Sequence, residues 1–155
     1  DFSAAVELIQ EQDIDAALIA LEKVASSSSD GYITLAKMKK ASILISSGKI
    51  NEGLDLYLDL ENTAADASFR DISTLFYVLN AMDHKPANDL MKKLEKFSEK
   101  NPWSATANEL KGFLYLKDGN IKDAKDMFEK ISKRPNVPRD IRGRSNDMLN
   151  FLKNK

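Results

Sequence analysis

Apolar residues recur along this chain at the three- and four-residue spacing of amphipathic helices. The run Leu18, Leu21 and Val24 is one example, and the run Leu54, Tyr57 and Leu60 is another. Clusters of small and polar residues interrupt this period where a helix is expected to end or begin, among them Ser47-Gly48, Asn101-Pro102 and Asp118-Gly119. The pattern predicts nine helices and no strand.

One short motif occurs twice in the chain. Residues 48–57 begin with a turn glycine, have a small residue at Gly53 and an aromatic ring at Tyr57, and residues 119–128 repeat this order with Ala124 and Phe128. Self-similarity at a period of tens of residues is typical of stacked helical hairpins, each of which buries its apolar face against its neighbours. We therefore predict a helical repeat protein.

The turn signals give the boundaries of the predicted repeats. Residues 1–155 form one domain in this prediction, with a capping helix at 138–153 that covers the end of the stack. A second echo, Phe69–Ile72 against Pro138–Ile141, is offset by 69 residues and favours a doubled unit. The predicted hairpins span about residues 1–28, 32–62, 68–99 and 102–134.

The composition excludes several classes of protein. With 155 residues, of which 43% are hydrophobic and 30% charged, the chain can bury a core and lacks the composition of a disordered protein. A formal net charge of −1 gives no overall attraction to nucleic acid or to acidic membranes. We expect no nucleic-acid partner.

Charge is nevertheless distributed unevenly along the chain. Acidic residues outnumber basic ones in residues 1–30, and basic residues outnumber acidic ones in residues 133–155. The pattern is typical of solvated helix faces, but it also fits a basic C-terminal surface that docks an acidic partner. A third interpretation is a homo-oligomer in which opposite ends of two chains meet.

The sequence offers little catalytic chemistry. There is no cysteine, His84 is the only histidine, and neither a dinucleotide-binding glycine motif nor a phosphate-binding GK[ST] loop is present. Three pairs of carboxylates are better explained as solvated faces or as acids near helix N-termini than as a hydrolase centre. We expect no enzyme activity, metal, cofactor or small-molecule substrate. The pairs are Asp13/Asp15, Asp55/Asp59 and Asp123/Asp126.

The repeat resembles the tetratricopeptide repeat, a 34-residue helical hairpin with small and aromatic residues at fixed positions. Residues 105–136 match best, with Gly112, Tyr115, Gly119, Ala124 and Phe128 in register. The resemblance implies an all-α fold, a right-handed α-α superhelix of about four hairpins plus a C-terminal capping helix.

This register also implies a concave, partner-binding groove. An open superhelix cradles an extended peptide or a partner helix there, but the apolar bias of the positions fits equally a groove filled by the protein's own terminal helix or by a dimer mate. The implied groove positions are Leu35, Met38, Ser42, Ile45, Ser46, Thr106, Glu109, Phe113, Leu116 and Lys117.

More narrowly, the chain resembles the soluble domain of the YfgM-like family, bacterial proteins anchored in the inner membrane by an N-terminal helix. The similarity is greatest in Asn101–Trp103, in Ala107–Gly112 and in Pro138–Arg142. It implies a domain on the periplasmic side that associates with the Sec translocon and with periplasmic chaperones, and assists protein export or envelope quality control.

No run of this sequence approaches the length of a membrane span. Because the chain begins at Asp1 without an initiator Met, we expect a trimmed or processed product. A cytoplasmic scaffold of the same fold and a structural self-assembly module are the alternatives.

Overall fold

The structure is a computed structural model that describes residues 18–23 and 29–155. All regular secondary structure within these residues is helical, which confirms the all-α prediction. Residues 18–23 lie in a helix, and seven further helices follow. These are α1 (Asp30–Ser46), α2 (Ile50–Thr63), α3 (Ala67–Ala81), α4 (Ala87–Leu94), α5 (Ser104–Lys117), α6 (Ile121–Lys133) and α7 (Arg139–Leu152).

These eight helical stretches correspond to eight of the nine predicted helices. The predicted first helix, in the hairpin at 1–28, lies outside the described residues. The predicted capping helix at 138–153 is α7, which differs from the prediction by one residue at each end. Among the described residues, none of the helices combines the length and the apolar character needed to cross a bilayer.

The chain divides into two compact units, Asp1–Asn80 and Ala81–Lys155. The first unit contains residues 18–23, α1, α2 and nearly all of α3, and α1 packs along α2. The second unit contains α4 to α7, in which α6 packs against both α5 and α7, and α4 packs against α5. One continuous repeat domain over 1–155 stays a prediction.

A glycine ends the first helix of the α1–α2 hairpin. Gly48 has a φ of +92°, in the left-handed region that glycine adopts without steric cost. Its N–H donates to the Ile45 carbonyl oxygen at 3.1 Å, and the Lys49 N–H donates to that of Leu44 at 2.8 Å. These bonds satisfy carbonyl groups that have no partner within the helix.

The α5–α6 hairpin turns with the same pattern. Gly119 has a φ of +75°, its N–H donates to the Leu116 carbonyl oxygen at 3.0 Å, and the Asn120 N–H donates to that of Tyr115 at 2.8 Å. Every donor and acceptor lies 71 residues after its counterpart in the first hairpin. The sequence repeat at these two turns is thus confirmed in the backbone hydrogen bonds.

Glycines also allow the helices of both hairpins to approach closely. A Cβ on Gly53 of α2 would lie 2.7 Å from the Ala41 carbonyl oxygen and 2.6 Å from the Ile45 side chain. A Cβ on Gly112 of α5 would lie 2.6 Å from the ring of Phe128. Interiors packed at this density have no room for the extra methyl group. Each hairpin therefore depends on one glycine at the contact between its helices.

An arginine in the first turn of α3, and another in the first turn of α7, binds the end of the preceding helix. Arg70 Nη1 donates to the carbonyl oxygens of Ala64, at 2.7 Å, and Ala65, at 3.0 Å. Arg142 donates to the carbonyl oxygens of Ser132 and Arg134. Cationic donors are favourable at a helix C-terminus because the last carbonyl groups carry partial negative charge.

This arrangement corrects the 69-residue echo found in the sequence, which pairs Arg70 with Arg139. Arg70 is the fourth residue of α3, and the fourth residue of α7 is Arg142, 72 residues later. Arg139 is the first residue of α7 and is exposed. The position within the first helical turn decides which arginine reaches the carbonyl groups, and the shared letters of the motif do not reveal it.

Candidate interaction site

The predicted groove positions of α1 form one edge of that helix in the first unit. Leu35 is 41% exposed, and Ser42 is also exposed, whereas Met38 and Ile45 are half-buried. Ser46 is exposed, and its hydroxyl donates to the Ile43 carbonyl oxygen. Leu35, Ser42 and Ser46 are spaced at helical intervals, so they lie on one face.

Sequence reasoning missed Tyr32, which belongs to the same face. Its side chain is 55% exposed, and it lies one helical turn before Leu35. In the sequence, its position three residues before Leu35 was the signal that could have placed Tyr32 on this face. Tyr32, Leu35 and Ser42 together give an exposed strip of aromatic, aliphatic and hydroxyl groups, which we call the α1 strip.

The predicted positions on α5, in the second unit, have a different environment. Thr106, Glu109, Phe113 and Leu116 are half-buried, and only Lys117 is exposed. The Phe113 ring packs edge-on against Phe128, with 5.4 Å between the ring centroids, and Leu116 packs against the same core. Lys117 Nζ donates to the Lys85 carbonyl oxygen at 3.1 Å. Most of this face is therefore already in contact with its own unit.

Glu109 is bound by the terminal helix. Arg144 of α7 donates from Nε and Nη2 to the Glu109 carboxylate at 3.1–3.2 Å, and the Glu109 side chain is only 12% exposed. The hydrogen bond to Glu109 raises the pKa of Arg144, and the nearby charge of Asp140 adds to the shift. A two-point arginine contact of this kind fixes orientation as well as distance. At this predicted groove position the protein's own last helix already makes the contact.

Two further apolar surfaces are exposed, one in each unit. In the first unit Phe76 and Leu79 of α3 are 39% and 54% exposed, and the Phe76 ring stacks on Tyr57 at 5.7 Å between centroids. In the second unit Phe151 is 64% exposed, with Lys155 Nζ 5.3 Å from its ring centre. Exposed apolar side chains in such small groups are common on protein surfaces and do not by themselves indicate a binding site.

The carboxylate pairs that lie in the described residues make local contacts. Asp123 accepts a hydrogen bond from Asn120 Nδ2 at 2.6 Å, and Asp126 pairs with Lys122 at 3.1 Å. Both acids line a surface cleft of about 220 Å³ together with Tyr115, Met127 and Lys130.

Asp59 pairs with Lys37 at 3.5 Å, and Asp13 and Asp15 lie outside the described residues. His84 lies exposed in the turn after α3. Within residues 18–23 and 29–155, no three histidines, aspartates or glutamates are grouped so that they could hold a metal ion. Asp59 and Asp126 are thus engaged in ion pairs, and Asp123 in a contact with the capping residue Asn120.

The chain was compared with models of protein families, with curated proteins and with solved structures, and none of these matches it.

Proposed function

We propose that this chain is a non-enzymatic protein-interaction domain, a tetratricopeptide-like stack of helical hairpins. The observation that carries the proposal is the repeated hairpin. Gly48 and Gly119 end their helices with the same hydrogen bonds, and a glycine at each helix contact admits close packing. Hairpins with this turn and this packing are the building unit of right-handed α-α superhelices, which bind partners by surface contact.

The α1 strip supports binding to an extended peptide or to a partner helix. Tyr32 and Leu35 offer exposed apolar area, and Ser42 offers a hydroxyl group for a backbone contact. Aromatic and aliphatic side chains are the usual anchors of such contacts, because burying them removes apolar area from water. We assign the first contact with a partner to this strip.

The cellular setting of the proposal rests on the likeness of Asn101–Trp103, Ala107–Gly112 and Pro138–Arg142 to the YfgM-like family. In this setting the domain faces the periplasm, is held at the inner membrane by an anchor, and contacts the translocon or a periplasmic chaperone. Its role is to assist protein export or envelope quality control. A cytoplasmic scaffold is the alternative setting.

The test is a pull-down from solubilised membranes with the full-length protein, comparing Leu35→Glu with Leu79→Glu. Both leucines are exposed and lie in the first unit, so neither variant should unfold it. We expect Leu35→Glu to weaken capture of the partner about tenfold, as the loss of a central anchor does, and Leu79→Glu to leave it unchanged. Equal loss in both variants would contradict the assignment to α1, and recovery of cytosolic proteins alone would contradict the periplasmic setting.

A second candidate function, self-assembly, is favoured by the distribution of charge. Residues 1–80 carry 13 acidic and 6 basic residues, whereas residues 81–155 carry 11 acidic and 17 basic residues. Opposite charge in the two units favours contact between the first unit of one chain and the second unit of another. Sedimentation at low and high salt separates the two functions, because screening weakens such contacts. An interaction domain stays monomeric at both salt concentrations, whereas oligomers that dissociate in high salt would favour self-assembly.

A further inference from the structure

Glu99, in the turn between α4 and α5, brings several basic side chains of the second unit together. Its carboxylate Oε1 lies 2.6 Å from Lys130 Nζ. Its backbone carbonyl oxygen accepts a hydrogen bond from Arg134 Nη2 at 2.8 Å. The Glu99 side chain is 62% exposed and that of Lys130 is 50% exposed, so the pair lies at the surface.

Hydrogen bonds hold Arg134 in place, but one nitrogen of its guanidinium has no partner among the described residues. Its own carbonyl oxygen accepts a hydrogen bond from Arg142 Nη2 at 2.7 Å, which fixes the backbone at the end of α6. Its Nη1 is buried and has no hydrogen-bond partner among the described residues. A buried guanidinium nitrogen without an acceptor is unusual in folded proteins, and Nη1 gains an acceptor from outside the unit only when the side chains that cover it move.

Cationic side chains act on the Glu99 carboxylate. Lys130 lowers the pKa of Glu99 through its hydrogen bond and its charge, and the charges of Arg134 and Lys111 lower it further. Three cations thus act on a single carboxylate. These cations favour the ionised form of the Glu99 carboxylate.

We propose that Lys130 and Arg134 form a docking site for a carboxylate group of an acidic segment in a protein partner, and that Glu99 occupies this site in the unbound protein. The proposal rests on the proposed protein-binding function and specifies the chemistry of one partner segment. Exchange is feasible because exposed ion pairs contribute little stability, so the partner's carboxylate replaces Glu99 at small cost. Glu99 then acts as an internal competitor.

The experiment measures binding of a fluorescein-labelled glutamate-rich peptide by fluorescence anisotropy at low ionic strength, with the all-glutamine peptide as a reference. We expect Glu99→Gln to bind the acidic peptide about three- to fivefold more tightly, since the competing carboxylate is removed. Lys130→Gln should bind it about three- to fivefold more weakly. Circular dichroism and thermal unfolding verify that each variant is folded.

Lys122→Gln is the matched control. Lys122 also belongs to α6 and also pairs with an acid, Asp126, at 3.1 Å. The proposal predicts unchanged peptide binding in this variant. Equal weakening in Lys122→Gln and Lys130→Gln would show attraction by net charge alone and would overturn the proposal, as would a Glu99→Gln variant that binds like the wild type.

Inorganic phosphate provides a further arm of the test. Displacement of the acidic peptide by phosphate, at concentrations at which chloride does not displace it, would assign the site to phosphate and overturn the carboxylate proposal.

The docking-site proposal and the proposed function can fail independently of each other. If Glu99→Gln and Lys130→Gln leave peptide binding unchanged while Leu35→Glu weakens partner capture as predicted, this inference fails and the proposed function stands.

Discussion

Gly53 is a position at which the fold does not tolerate an added side chain. Its missing Cβ would meet a backbone oxygen, that of Ala41, at 2.7 Å, and backbone cannot move away as a flexible side chain can. We predict that Gly53→Ala lowers the free energy of unfolding by about 1–3 kcal/mol, the usual cost of overpacking. Urea denaturation monitored by circular dichroism measures this change.

Gly143→Ala is the control for this prediction. Gly143 lies inside α7, and a Cβ there would meet nothing within 4 Å. Alanine should raise the free energy of unfolding by about 0.4–1 kcal/mol, because it restricts the unfolded chain and is a better helix former than glycine. A loss of stability of the same size in both variants would contradict the close contact between α1 and α2.

The buried Tyr57 makes the free energy of unfolding depend on pH. Burial raises its pKa above the ordinary value of 10.0, because the charged phenolate is poorly solvated. The folded state then holds this proton more tightly than the unfolded state. The corresponding stability is fully present below about pH 10 and is lost as the pH rises through the folded pKa.

Tyr57→Phe should remove this dependence and keep the ring contact with Phe76. Urea midpoints measured across the alkaline range should therefore fall more steeply for the wild type than for the variant. Parallel curves for the two proteins would contradict the assignment of the raised pKa to Tyr57.

At the scale of elements, the contact between α6 and α7 depends on Arg142. Its guanidinium binds the carbonyl oxygens of Ser132 and Arg134 at the end of α6. We predict that Arg142→Met lowers the free energy of unfolding by about 1.5–3 kcal/mol, the range for hydrogen bonds made by charged groups. Arg139→Met, on the same helix and exposed, should change it by less than about 0.5 kcal/mol. Similar urea midpoints for the two variants would contradict this role of Arg142.

The helices and the two glycine turns could be predicted from the sequence, because apolar periodicity and left-handed glycines are local signals. Contacts between elements that are distant in sequence could not be predicted in this way. Arg144 reaches Glu109 across 35 positions of sequence, and no local pattern distinguishes this arginine from Arg139 on the same helix. The sequence left open whether the groove on α5 is open or filled by the terminal helix, and only the structure places Arg144 of α7 against Glu109.

At the scale of the whole molecule, the two units differ in the surfaces that they expose. The first unit exposes the α1 strip, and the second has basic side chains around Glu99. Surfaces that differ in this way suit a partner with both an apolar and an acidic segment. Two weak contacts on one partner bind more tightly together than either alone, provided that both can be made at once.

The most direct test of the central claim, that this fold acts by contact with another protein, is site-specific photo-crosslinking in the full-length protein. A photoreactive amino acid replaces Ser42 on the exposed face of α1 in one variant and Asp55 on the exposed face of α2 in another. The account predicts a defined adduct with a partner protein from position 42 and none from position 55. Adducts of equal yield from both positions, or none from position 42, would contradict it.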